Sequence, residues 1–363
     1  MSEFEHAIGL ARSALRLIEQ AQETKSGRRI TKAIDATIAA YREFALSDDS
    51  RYLLQSQLAE LHVLKHEIAH DKQDLISAES ALFRAVSESS LEASPKTHEV
   101  MLIAYWTFQR EQAHAMPNSV RRRPATNHTL LAISEGKVQG EDTEGLLETA
   151  YQALSAYSDS RQDDEDFKCS LDIIRRMIAI VGYNVNAWLW IGRLSLTLQL
   201  QSEATGNTAL LEEALRHSRF LTSTIDPSHE HFGGILTGQA AIIGLRSKLT
   251  NSLEDLSTAI DLARAATPYC HGPILEMHNQ VLATVLLARY EQLGSTGDLN
   301  EAKQIAARAD LMIGSDDAQL ALINLVGIQF KDALESGNAA AVDDIVALSR
   351  RYAVTDENLH AGV

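Results

Sequence analysis

The order of apolar and polar residues along the chain predicts helices almost throughout. No long segment alternates apolar with polar residues, as a half-buried strand would. The clearest local pattern begins at Arg289 and reads RYEQLGSTGDLNEAKQIAARAD. It predicts the end of one helix, a turn centred on Gly294 and Gly297, and a second helix starting near Asp298. Slid along the chain without gaps, the same grammar recurs in windows beginning at Arg246, Gln201, Lys137, Lys65 and Gln20.

In every window a leucine or isoleucine is followed three residues later by an alanine. The pairs are Leu299 with Ala302, Leu256 with Ala259, Leu211 with Ala214, Leu147 with Ala150, Leu75 with Ala78, and Ile30 with Ala33. Further along the same face the residues are often small again, as at Ala263 with Ala266 and Ala306 with Ala309, so a neighbouring helix can approach closely. The alanines of successive pairs lie 45, 72, 64, 45 and 43 residues apart, and a looser copy around Ile345 adds another 43. A period near 44 is a solenoid signal. The segments ahead of each turn (278–293, 235–249, 187–200 and 53–68) are long and apolar, so each pair needs a stacked neighbour to complete its core.

The expected fold is therefore all-α, with antiparallel helix pairs stacked as a right-handed superhelix, an α-solenoid. It is expected to occupy 1–363 as a single domain with irregular insertions near 90–130 and 158–186. Extra helices are expected at 97–115 and 167–181, with a non-periodic loop at 116–127. Segments such as LLARYEQLGSTGDLNEAKQIA and LRSKLTNSLEDLSTAIDLARAA resemble the long tetratricopeptide-type repeats of fungal and actinobacterial multidomain proteins, with the pattern L-x-x-R-Y-E-x-x-G-x-x-x-D-L-x-x-A-I. The resemblance implies a sensor or scaffold part that binds proteins or peptides. No effector domain of the kind found beside such repeats is visible.

Charge narrows the function classes. A formal net charge of -16 opposes a general nucleic-acid role, because such binding draws on lysine and arginine. Local basic groups stand at Lys25, Arg28, Arg29 and Lys32, and at Arg121, Arg122 and Arg123. Cys169 and Cys270 lie far apart without C-x-x-C spacing, which signals neither a disulfide framework nor a cysteine-rich zinc site. With no basic region ahead of an apolar block at the start and no apolar run of about 20 residues, the expectation is a cytoplasmic protein without membrane contact.

The sharpest enzyme-like signal is His66-Glu67-Ile68-Ala69-His70, a literal H-E-x-x-H. On one helix face two such histidines bind zinc, and the glutamate activates the bound water. The repeat register, however, sets His70 against the turn residues Gly294 and Asn251. A gluzincin-type third ligand is expected at position 89, which is Ser89, with Glu88 one residue short. His62, His66 and His70 also form a stripe that favours a helix C-terminus electrostatically.

Asp163, Asp164, Glu165 and Asp166 invite comparison with aspartate-rich magnesium motifs, but Phe167 breaks D-D-x-x-D, and an acidic helix start accounts for them. His229, Glu230 and His231 read as a surface turn beside Pro227 and Gly233-Gly234. Trp106, Trp188 and Trp190, with Tyr105, are candidate partner anchors together with Arg121, Arg122 and Arg123. Trp188 and Trp190 are two apart on one helix, so one is expected in the core and the other partly exposed.

The reading is a non-enzymatic scaffold whose concave face holds a protein or peptide, without cofactor. A zinc-dependent hydrolase at 66–70 is the alternative. A purely structural protein that forms homo-oligomers is a third.

Overall fold

A computed structural model of the chain describes residues 3–44, 49–112, 115–116, 119–155 and 164–309. They form fourteen α-helices and two short 3-10 turns, and no strand occurs among the described residues. The looser repeat copy around Ile345 lies outside them. The fold is all-α and solenoid-like, each helix packing chiefly on its neighbours in sequence.

The chain divides into two compact units, residues 1–182 and 183–363. The first holds α1 (Glu3–Thr24), α2 (Gly27–Glu43), α3 (Asp49–Ala69), α4 (Lys72–Glu92), α5 (Pro95–Glu111), α6 (Arg122–Ser134), α7 (Glu141–Ser155) and α8 (Asp164–Val181). The second holds α9 (Trp188–Thr205), α10 (Thr208–Thr224), α11 (Phe232–Thr250), α12 (Leu253–Ala266), α13 (Pro273–Leu293) and α14 (Thr296–Ala309).

The shared register has a conformational basis. In five of the six windows the sixth residue is left-handed: Lys25, His70, Gly206, Asn251 and Gly294 have φ of 44°, 53°, 70°, 56° and 65°. Such a residue ends a helix by letting its N–H bond back to a carbonyl of the last turn. In three of these windows the side chain of the next residue then caps the following helix. Asp71, Asn207 and Ser252 each accept, through a side-chain oxygen, a backbone N–H of the new first turn. The window from Lys137 departs from this pattern, because two glycines in left-handed conformation, Gly136 and Gly140, make a longer turn before α7.

Packing follows from the same positions. All six Leu/Ile–Ala pairs are buried, with none of the twelve residues more than 4% exposed. Each buried leucine or isoleucine stabilises the unit by about 1.5–3 kcal/mol relative to an exposed one, and the alanine admits the neighbouring backbone. In the second unit α9, α11 and α13 are apolar around most of their circumference, whereas α10, α12 and α14 each have one apolar stripe and a polar outer face. The reason is topological. α11 packs on α9 and α13 as well as on α10 and α12, while α10, α12 and α14 make no comparable contact with one another.

The wide spacing between Ala78 and Ala150 has an equally local cause. Helix α5 packs on α4 and on α7, and α6 is set aside against α8 and α4. α6 therefore interrupts the pair formed by α5 and α7. The loop expected at 116–127 is corrected here, since α6 already begins at Arg122. Pro124 falls in its first turn, where a missing N–H breaks no intrahelical bond, so the proline that suggests a loop is accommodated in a helix. The extra helices expected at 97–115 and 167–181 are α5 and α8.

Candidate functional site

The H-E-x-x-H segment is split by the turn. His66 and Glu67 belong to α3, but His70 follows its last residue with φ 53°, so the helical spacing on which the motif relies ends before its second histidine. His66 Nδ1 donates to the main-chain carbonyl of Asp71 at 2.8 Å. Ser202 Oγ and Ser247 Oγ, in the same register, donate to the carbonyls of Asn207 at 2.8 Å and Ser252 at 2.7 Å. His66 thus takes the place of a serine that fastens the turn. The His66 and His70 rings meet edge to face with centroids 6.3 Å apart. Among the described residues no three His, Cys, Asp or Glu side chains are grouped to hold a metal ion. His62 instead faces Asp74 at 3.3 Å, and burial lowers its pKa.

The three candidate arginines are each engaged within the chain. Arg121 reaches Glu79 at 3.0 Å, and this buried carboxylate also accepts from Gln109 Nε2 at 2.7 Å, from Tyr105 OH at 3.4 Å and from Ser119 Oγ. Arg122 is only 2% exposed; it donates to Asp166 at 2.6 Å and to the Met116 carbonyl at 2.9 Å. Arg123 donates to Asp172 at 2.5 Å and lies 4.0 Å from Glu165. Two members of the acidic run, Glu165 and Asp166, are therefore partners of this basic run. Asp163 lies outside the described residues, and Asp164 opens α8.

The aromatic candidates separate by burial. Trp106 is fully buried and donates through Nε1 to Thr129 Oγ1 at 3.0 Å, with Tyr105 edge-on beside it. Trp190 is buried under the Arg193 guanidinium, 4.5 Å above its ring. Trp188 is half-buried. His231 stacks on it at 4.8 Å and His229 meets it edge-on at 5.0 Å, so two motifs read separately in the sequence form one surface cluster.

Several buried polar groups are tuned by the packing. Burial pushes the His98 imidazole down to about 4, and Lys137 and His128 act in the same direction. Its Nδ1 lies 2.8 Å from Ser89 Oγ, whose own proton goes to the Val86 carbonyl, so Nδ1 donates. His278 is likewise lowered by burial and bridges Thr237 and Thr267 at 3.1 Å on either side of its ring. Cys169 and Cys270 are buried free thiols whose pKa burial raises, which keeps them protonated and unreactive.

One feature was missed in the sequence although its signal was present. The basic residue that opens a window pairs with the acid nine residues on: Arg289 with Asp298, Arg246 with Asp255 and Lys65 with Asp74, all at 2.6–2.7 Å. The constant nine-residue spacing of opposite charges across a turn was the available clue.

A recess lies between α1 and α3. It is a cleft of about 410 Å³ lined mainly by Ile8, Ala11, Arg12 and Leu15 of α1 and by Leu53 and Gln57 of α3. Phe44 and Leu54 line its buried base, whereas Leu15 and Leu53 are 40% and 52% exposed. No helix among the described residues is long and apolar enough to cross a membrane.

No family model matches the sequence, and no curated protein matches it. Among solved structures, the chain is similar to a circular tandem repeat protein with novel repeat topology and enhanced subunit contact surfaces. The identity is 16%, the match covers 100% of both chains, and the TM-score is 0.35.

Proposed function

We propose that this protein is a tetratricopeptide-like, non-enzymatic scaffold that binds a protein or peptide segment along the face formed by the first helices of its pairs. The observation that carries this reading is the division of labour in the second unit. α9, α11 and α13 lie side by side and keep large apolar side chains exposed, among them Leu196 at 49% and Met277 at 42%, although both flanks of α11 are packed. Extended faces of stacked repeats are binding surfaces in proteins of this architecture. The residues with the most chemical vocabulary, His66 and Arg121 to Arg123, have structural tasks within the chain.

The test is capture of partners from native cell extract by the immobilised full-length chain. Leu196→Asp and Met277→Asp are expected to reduce capture, and Thr258→Asp on the outer helix α12 is expected to leave it unchanged. Equal capture by all three variants would overturn the reading. The H-E-x-x-H segment motivates one rival, a zinc-dependent hydrolase. Stoichiometric zinc in the purified protein, lost on His66→Ala, would favour that rival instead.

A further inference from the structure

We propose that the cleft between α1 and α3 takes a leucine-type side chain from a partner peptide that carries carboxylates beside it. This rests on the scaffold reading and names a site and a ligand chemistry for it. The base, Phe44 and Leu54, belongs to the core cluster of Ala14, Ala40 and Tyr41, so it is held in place from behind. Arg51 adds to this rigidity, because it donates to the Phe44 carbonyl at 2.6 Å and to the Tyr41 hydroxyl at 2.9 Å. The exposed Leu15 and Leu53 give an incoming apolar side chain surface to bury.

Two polar groups define what accompanies that side chain. Gln57 lines the cleft, and its Oε1 is shielded from solvent with no hydrogen-bond partner among the described residues. A rotation of the Gln57 amide turns this oxygen to the cleft, where it accepts a main-chain or amide N–H that a peptide supplies beside its leucine. Arg12 lines the same cleft from α1, is exposed, and forms no ion pair among the described residues. A guanidinium in that position is matched by a carboxylate. The wider charge distribution agrees: residues 3–43 hold seven Lys and Arg against six Asp and Glu, in a chain of net charge -16. An acidic segment therefore meets no net negative charge along α1 and α2.

The experiment uses the full-length chain and a fluorescein-labelled peptide, Glu-Leu-Glu-Glu-Leu-Leu-Glu, followed by fluorescence anisotropy. The acidic leucine peptide is expected to bind, and its lysine-for-glutamate and alanine-for-leucine counterparts to bind at least about tenfold more weakly. Leu53→Asp and Arg12→Glu are each expected to weaken binding by about tenfold or more, whereas Leu53→Met retains it. Both side chains are exposed, and unchanged thermal melts establish that the variants fold. No binding of the acidic peptide, or wild-type binding by Leu53→Asp and Arg12→Glu, overturns the proposal. Partner capture that depends on Leu196 and Met277 but ignores both cleft variants rejects this site and leaves the scaffold reading standing.

Discussion

Arg289 and Asp298 are joined across the left-handed turn at Gly294 by two parallel hydrogen bonds, Nε to Oδ2 at 2.7 Å and Nη2 to Oδ1 at 2.6 Å. Arg246 and Asp255 repeat the arrangement across Asn251 at 2.8 Å and 2.6 Å. Both planar groups are matched edge to edge, so each pair fixes the angle at which the second helix leaves the first. The Arg289 side chain holds the Asp298 carboxyl below its usual range. Asp298→Asn is expected to cost about 1–2 kcal/mol, less than for a wholly buried pair because Arg289 stays partly in water. Since the folded pKa of Asp298 is depressed, this contribution is present above the unfolded value of about 3.9 and is lost as pH falls through the folded value. Urea denaturation in a double-mutant cycle with Arg289→Met is the check; zero coupling would reject the role.

The pattern that located these residues did not reveal what they do. Arg289 and Asp298 were visible as letters of a repeat, but a turn had to fold before nine residues of separation became one contact. The leucine–alanine pairs were legible because burial is written directly into residue type. The region of α5 to α8 was not. Which helix α5 pairs with depends on non-local packing, and the run Arg121 to Arg123 reads as exposed charge until Glu79, Asp166 and Asp172 are brought beside it. The cleft between α1 and α3 was equally invisible, because it is built from ordinary apolar residues of two helices and one orphaned amide oxygen.

The turn at His70 yields a prediction about conformation. A residue with a β-carbon in the left-handed region costs roughly 1 kcal/mol relative to glycine, and two sister turns already use Gly206 and Gly294. His70→Gly is expected to raise stability by about 0.5–1 kcal/mol, net of the greater unfolded-state entropy of glycine. His66→Ser should be close to neutral, because serine makes the same turn bond at positions 202 and 247, while His66→Ala should lose about 1 kcal/mol. Chemical denaturation of the three variants decides it, and a His66→Ser as damaged as His66→Ala would contradict the shared register.

Acid sensitivity should be traceable to His98. Its imidazole is only 1% exposed, packed between α4 and α5, and faces Lys137, His128 and Glu135 as well as Ser89. With the folded pKa lowered to about 4 from 6.5, the unfolded chain binds the extra proton between those values. Stability is full above about pH 6.5 and falls as the pH drops toward 4, by up to about 3 kcal/mol from this group. His98→Asn supplies a neutral N–H donor and should flatten that part of the profile. His62, His128 and His278 are lowered too, so the comparison is the difference between variant and wild type across pH. Parallel profiles would show that His98 contributes nothing to it.

Close packing of α11 gives the last test. A β-carbon on Gly233 would lie 2.5 Å from the Tyr269 carbonyl oxygen and 2.9 Å from Cys270 Sγ, both fixed by the short turn after α12. Main chain cannot yield as a flexible side chain does, so Gly233→Ala must push the turn away from α11 and is expected to cost about 1–3 kcal/mol. The same push strains His278, which bonds to Thr267 in that turn and to Thr237 of α11. Further along the helix, a β-carbon on Gly238 would meet nothing within 4 Å. There the ordinary helix preference applies, and Gly238→Ala should gain roughly 1 kcal/mol. The two substitutions are chemically identical and sit on the same helix, so opposite shifts in the urea midpoint isolate the steric contact, and shifts of the same sign would remove it as the cause.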